Sequence, residues 1–410
     1  AKKLGLREDE FEMIKKALGR TPNSTEINIY GVMWSEDCSK KNSIQELIKL
    51  PKATQGSIEI HDGISCSIKI SENGRSRKSS FSSGVQPIAQ HNAFYFGNIE
   101  DKSTKQDIKT AIENSKDSSP IVGNELFFDD SFTANPIARE FSAGIAETKN
   151  IIPTKAVGTG NPVFVVGFEV NSSQETSFSE ALIELSKTDT IVGAGDLGRG
   201  GIVGSLSEMS FAGGVGMDIQ IDKITSKQEP TEFLTSASQG LLLVVKKGEE
   251  KSVKNLYSKK DISLLEVGVV TDGASIKLFD GETLIADIPS KSFVPGEGAP
   301  QYERGFEEPA YFEKLKEFDI DDVTYPEDLK EIAIFLLKHQ NIASRKWIDD
   351  KLKSSMGGLK TTSDAAVSNI SGTNKALTTS LAFNPHYVFA NPQLGTAMLI
   401  AQAARDIVCT

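Results

Sequence analysis

Tyr30 to Ser43 reads YGVMWSEDCSKKNS, which brings a tryptophan, two adjacent acids, a cysteine and two lysines into one short stretch. A large aromatic beside Glu36, Asp37 and Cys38 suits the wall of a ligand pocket next to polar groups that orient a ligand. The same residues also describe a buried Trp34 that anchors a solvated loop. A second region is rich in glycine. Ile191 to Gly198 reads IVGAGDLG and continues as GRGGIVGSLSEMSFAGGVGMD, with Asp196, Glu208 and Asp218 interspersed. Backbone lacking side chains can approach phosphate closely, and nearby carboxylates can hold magnesium, so this pattern suits nucleotide handling. Close helix packing explains the glycines equally simply. The three glycines and Asp218 also fit a dinucleotide fingerprint, which requires a strand into the first glycine and parallel crossovers around it.

The elements that must position these groups are legible from periodicity. Residues 8 to 18 carry Phe11, Ile14 and Leu18 on one helical face, with acids in the first turn and Gly19 as a stop. Alternating apolar residues from Ser57 to Ile70 around Asp62-Gly63 predict a hairpin. His61 sits beside that turn and reads as structural, while His91 is open to either a core or a catalytic role. Asp101 to Lys116 reads as a helix, and Phe141 to Ala146 as a strand. Pro153 to Pro162 reads as a linker. Further strands are expected at Val163 to Phe168, Leu241 to Val245 and Leu265 to Val270, with a hairpin turning at Asp280-Gly281; helices between them imply an α/β layered domain. Residues 288 to 312 read as an extended wrapping connector. Thr324 and Glu327 read as a capping box for a helix bearing Leu329, Ile332, Ala333 and Leu336, and Asp364 to Leu377 as strands.

The 410 residues allow two or three domains, and a hydrophobic share of 38% is that of a globular chain. A formal charge of -11 argues against nucleic acid or an anionic membrane as the main partner. No apolar run approaches the roughly 20 residues of a membrane-spanning helix, and AKKLGLREDEFE lacks the apolar core of a signal peptide, so a soluble cytoplasmic protein is expected. Cys38, Cys66 and Cys409 are too widely spaced to suggest a disulfide framework or zinc cluster.

Several segments, in order along the chain, match one family: LGLREDEFEMIKKALGRTPNSTEINIYGVMWSEDCSKKNS, VQPIAQHNAFYFGN, GDLGRGGIVGSLSEMS, NIASRKW, GTNKALTTS and NPHYVF. The chain resembles the synthetase subunit of phosphoribosylformylglycinamidine synthase. That resemblance implies ATP- and magnesium-dependent amidation of formylglycinamide ribonucleotide in purine biosynthesis, through an iminophosphate. It also implies partnership with a glutaminase and a small bridging subunit, in the cytoplasm. The implied fold is α+β, with aminoimidazole ribonucleotide synthetase-like N- and C-domains: an N-terminal helical segment at 1–50, an N-domain at 51–152, a C-domain at 153–312, and the start of a second N-domain at 324–410.

Carried over residue by residue, the resemblance marks Asp37, in place of the family's histidine in WSEHCS, as a candidate catalytic group. The family's histidine in ESHNHPS has no counterpart, and His91 or His61 is the candidate to replace it in space, His91 being the candidate catalytic group of the two. Trp34, Lys69, Asp196, Gly198 and Gly201 fall on ligand- or nucleotide-contacting positions, and Glu72 and Glu208 on magnesium carboxylates. Arg199 stands where the family has a small residue. Ser79 aligns with a magnesium aspartate, and Ser236 to Gln239 with a segment that has lost two acids and an arginine. These losses imply a rate lowered by several powers of ten, or a catalytically silent relative that keeps the scaffold for nucleotide binding or complex assembly.

Overall fold

Apolar runs without polar interruption predict strands covered on both faces, and Pro162–Val166 (β6) and Leu241–Val245 (β9) are such runs. The computed structural model describes residues 1–51, 57–72, 81–115, 119–167, 174–224, 234–236, 240–352 and 364–410. They divide into two compact units: Ala1–Ile68, Arg75–Gln86 and Gly144–Arg304 in the first, Lys69–Gly74, Pro87–Ala143 and Gly305–Thr410 in the second.

In the first unit, β6 and β9 are inner strands of a seven-stranded sheet. It also holds Ile191–Asp196 (β7), Gly216–Gln220 (β8), Leu264–Thr271 (β10), Ser275–Asp280 (β11) and Thr283–Pro289 (β12), in the order β12-β11-β8-β10-β6-β9-β7. Neighbours are antiparallel except β8 and β11. Successive side chains of a strand face opposite ways. Leu242 and Val244 therefore join a core with helices Glu8–Leu18 (α1), Ser24–Met33 (α2) and Gly201–Gly213 (α7), through Ile14, Ile29 and Leu206. Leu241, Leu243 and Val245 pack on the other side against helices Glu175–Ser186 (α6) and Glu250–Lys259, through Phe178, Leu182, Val253 and Tyr257.

β7 is six residues long and lies at the sheet edge, antiparallel to β9. Among the described residues no parallel crossover surrounds Gly193, so the dinucleotide reading is wrong. Gly193 is needed for another reason: a Cβ there would lie 1.9 Å from the Lys155 carbonyl oxygen. The segment 153–162, expected to be a linker, is in fact packed. Ala156 is buried, its N–H donates to the Met209 carbonyl at 2.8 Å, and a Cβ on Gly213 would strike the Ala156 carbonyl. The connector does wrap the N-terminal helices, since Ser292 and Tyr302 both bond to them or to the loop that follows.

In the second unit, Gln86–Phe96 (β3) and Ile121–Phe128 (β4) run parallel, joined by helix Lys102–Ser115 (α5), and Ile137–Glu147 (β5) flanks β3. α5 buries Ile108, Ala111 and Ile112 against Phe94, Phe96, Leu126 and Phe128. Ser57–His61 (β1) and Ile64–Glu72 (β2) form the expected hairpin, with Asp62 and Gly63 at φ 43° and 75°, the left-handed pair a tight turn requires. Ala366–Asn369 (β13) and Ala376–Thr379 (β14) make the expected late strands. The helix expected after Thr324 starts later, at Leu329, and Asp328 caps it by accepting the Lys330 N–H at 2.8 Å. Tyr325 precedes Pro326, and a residue before proline is disfavoured in helical conformation. The layered α+β architecture expected from the sequence is the one observed.

Candidate functional site

The charge-dense motif mostly holds itself together. Trp34 is 1% exposed, its indole N–H donates to the Ser292 carbonyl at 2.8 Å, and its ring meets Tyr30 edge-on at 4.9 Å. It is a core anchor rather than a pocket wall, which corrects its assignment as a ligand contact. Ser35 caps helix Glu36–Ser39 (α3), accepting the Cys38 N–H. Glu36 accepts from the Asn42 backbone at 3.0 Å, the Asn42 side chain at 2.7 Å and the Ser43 hydroxyl at 3.2 Å. Desolvation pulls its carboxyl upward, but these bonds outweigh it and leave the group below its ordinary range. Short helix Ile44–Leu47 (α4) follows.

Lys41 is drawn away from any ligand. Its ammonium lies 2.6 Å from the fully buried Glu10 carboxylate, which also accepts the Tyr302 hydroxyl at 2.9 Å and the Arg7 N–H at 2.9 Å. Burial, then the Glu10 bond, pushes the Tyr302 hydroxyl up to about 12. Asp37 is the motif's outward-facing acid, 68% exposed, 3.4 Å from Arg199 Nε and 4.0 Å from Lys40. Two of the positions where the sequence departs from the family pattern, Asp37 and Arg199, are thus in contact. Sequence reasoning noticed both and did not pair them. Desolvation raises the half-buried Cys38 thiol, so it is no ready nucleophile.

Arg199 belongs to the turn between β7 and α7, which carries Asp196, Gly198 and Gly201. Asp196 ends β7 in the open, and the Ser82 hydroxyl donates to it at 3.3 Å; Ser82 carried no signal in the sequence. Glu208 projects from α7. Its tip reaches solvent, yet the surrounding protein, and then the Asp196 charge, raise its carboxyl. Such a pair of like charges is relieved by a cation. Among the described residues no cluster of three metal-binding side chains occurs; a magnesium held by two carboxylates would take its remaining oxygens from phosphate and water.

The glycines of the turn differ. Gly200 and Gly201 have φ of 75° and 59°, and a Cβ would strike the Met33 sulfur in one case and the Ser236 and Leu234 carbonyls in the other. Gly198 has neither constraint: nothing lies within 4 Å of its added Cβ. We expect Gly201→Ala to lower the melting temperature by several degrees and Gly198→Ala to leave it within about a degree, while Gly198→Ala weakens nucleotide binding measured by calorimetry at least about tenfold.

His91 lies in the second unit, 6% exposed, with Nε2 bonded to the Thr379 hydroxyl at 2.8 Å and its ring edge-on to Phe141. Both its burial and its bonded nitrogen make it a core histidine, a correction to its candidate catalytic role. Desolvation lowers it to about 4 from an ordinary 6.5. The unfolded chain therefore binds a proton that the fold excludes: the stabilisation is complete above pH 6.5 and disappears as pH falls towards 4. We expect urea unfolding to show a loss of up to about 3 kcal/mol over that interval, and His91→Leu to flatten it. Lys69 is half-buried on β2, and Glu72 ends that strand. The Glu72 side chain, Ser79 and Ala237 to Gln239 lie outside the described residues.

The first unit is thus a mixed sheet with helices on both faces that carries a packed glycine turn and two carboxylates. Residues 160–281 match the AIR synthase related protein, C-terminal domain, and residues 1–41 the formylglycinamide ribonucleotide amidotransferase linker domain. Phosphoribosylformylglycinamidine synthase subunit PurL of Caldanaerobacter subterraneus subsp. tengcongensis is 32% identical over 473 aligned positions, covering 99% of this chain and 64% of the relative. That alignment is longer than the chain, so the relative carries residues this chain lacks. Thermotoga maritima phosphoribosylformylglycinamidine synthase II superposes with a TM-score of 0.75 at 19% identity, covering 98% of this chain and 70% of that one. The Thermotoga protein complexed with FGAR gives a TM-score of 0.73 at 18% identity, covering 98% and 71%. Complexes of that protein with ATP and AMPPCP, and an assembly titled PurLQS, are also similar. The chain is a divergent relative of the PurL-type synthetase subunits, and it spans about 64% of the length of the curated relative it matches.

Proposed function

We propose that the chain takes part in ATP-dependent amidation of formylglycinamide ribonucleotide. The observation that carries this reading is the Asp196–Glu208 acid pair on a glycine turn, in a chain related to PurL along its whole length. Magnesium, when bound, neutralises triphosphate charge, and Asp196 and Glu208 are the residues that would hold it. Gly198 leaves room for the nucleotide, and the uncapped first turn of α7 offers N–H groups to phosphate. Asp37, held beside Arg199, is the proposed proton acceptor as ammonia adds to the activated amide carbon and phosphate leaves carrying the former amide oxygen. Lys69 and Glu72 are proposed nucleotide and magnesium groups of the second unit, on the resemblance of their strand alone.

A glutaminase and a small bridging subunit are the proposed partners, and the domain division given above is the proposed one. No helix among the described residues is long and apolar enough to cross a membrane, and a nucleotide substrate favours the cytoplasm. A thermal shift experiment tests the site. AMPPCP with magnesium should raise the melting temperature of the wild type and not that of Glu208→Gln. Because Glu208 titrates above its ordinary range, its ionised form costs stability at neutral pH and protonation relieves that cost as pH falls. The shift should accordingly be larger at pH 8 than at pH 5. Equal shifts in both proteins would remove the acid pair from the site.

A further inference from the structure

We propose that a groove in the second unit, between α5 and helix Lys346–Leu352, binds a small planar aromatic anion, a ring bearing a phosphate or carboxylate. The cavity measures about 660 Å³ and is lined by Ile99, Ile108, Ile112 and Trp347, with Lys105, Lys109, Lys351 and Glu113 around it. Ile108 and Ile112 belong to the core below, so the floor is fixed. Trp347 stands 41% exposed above it, although tryptophan is a residue that folding usually covers. Its partly exposed ring and the isoleucine floor form a slot for a flat apolar group.

Charge selects the rest of the ligand. Three ammonium groups against one carboxylate make the lining positive in a chain of net charge -11. The internal neutralisation is loose and exposed, with Lys105 3.6 Å from Glu100 and Lys109 4.0 Å from Glu113, so an anion of better geometry can recruit these lysines. Among the described residues that line the groove none is an amide or hydroxyl side chain, so an apolar aryl group fits this lining better than a nucleobase. The volume suits a small molecule; a partner helix, about 10 Å across, would need a longer trough.

1-Naphthyl phosphate is the probe, titrated into the full chain and followed by tryptophan fluorescence. Trp34 is buried, so Trp347 carries the change. Saturable quenching is expected in the wild type, and affinity read by calorimetry should be weakened at least about tenfold, or ~1.4 kcal/mol, by Trp347→Ala and by the triple change Lys105→Gln, Lys109→Gln, Lys351→Gln. The uncharged 1-naphthol should bind at least about tenfold more weakly than the phosphate. Trp347→Phe keeps a ring and should retain binding when read by calorimetry, which separates loss of the slot from loss of folding. Absence of saturation up to about 1 mM, or affinity indifferent to the lysine and Trp347→Ala changes, would overturn the proposal. So would an acidic amphipathic peptide that occupies the groove and excludes the probe.

Discussion

Replacing Lys41 with methionine is expected to lower the unfolding free energy of the first unit by about 3 kcal/mol, the scale on which breaking a buried ion pair acts. The cause is what remains. Glu10 is fully buried, and without Lys41 its carboxylate keeps, among the described residues, two neutral hydrogen-bond donors, the Tyr302 hydroxyl and the Arg7 N–H. The loss should be much smaller in Glu10→Gln with Lys41→Met, because no unpaired charge is then left inside. Urea unfolding followed by the fluorescence of Trp34, which this loop holds in the core, measures both. If the single and double changes cost the same, Lys41 contributes packing rather than charge compensation.

The largest catalytic effect is expected at Asp196. Changing it to asparagine preserves shape and the approach of Ser82, but removes half of the charge proposed to hold magnesium. Substrate-dependent phosphate release should fall about a thousandfold, ~4 kcal/mol of transition-state stabilisation. Folding should not suffer. The substitution also removes the like charge that raises Glu208, so the melting temperature should stay level or rise slightly. A drop in melting temperature together with the drop in rate would assign Asp196 to the scaffold instead.

These two residues show what the sequence makes legible and what it hides. The strands, α1 and the Asp62-Gly63 turn follow from periodicity and turn chemistry, because local physics decides them. The roles within YGVMWSEDCSKKNS do not, because each depends on a partner far away in the chain. Trp34 is fixed by Ser292, Lys41 by Glu10 and Tyr302, and Asp37 by Arg199. A cluster that looks like an active site is mainly a brace, with one acid facing out. The glycine run divides similarly. Gly193, Gly201 and Gly213 answer to carbonyl groups from other segments, whereas Gly198 answers to nothing in the fold. His91 illustrates the same limit, since only burial separates a catalytic imidazole from a core one.

The most direct test mixes the chain with ATP, magnesium, formylglycinamide ribonucleotide and ammonia and follows phosphate release. With Asp37 in the histidine position, the expected rate lies two to four powers of ten below the roughly 10 per second common among enzymes. It should require both the ribonucleotide and ammonia, and it should fall about a thousandfold in Asp196→Asn. Release that ignores either substrate, or that survives Asp196→Asn unchanged, would contradict the proposed amidation, as would no release at all from a chain that binds AMPPCP and magnesium.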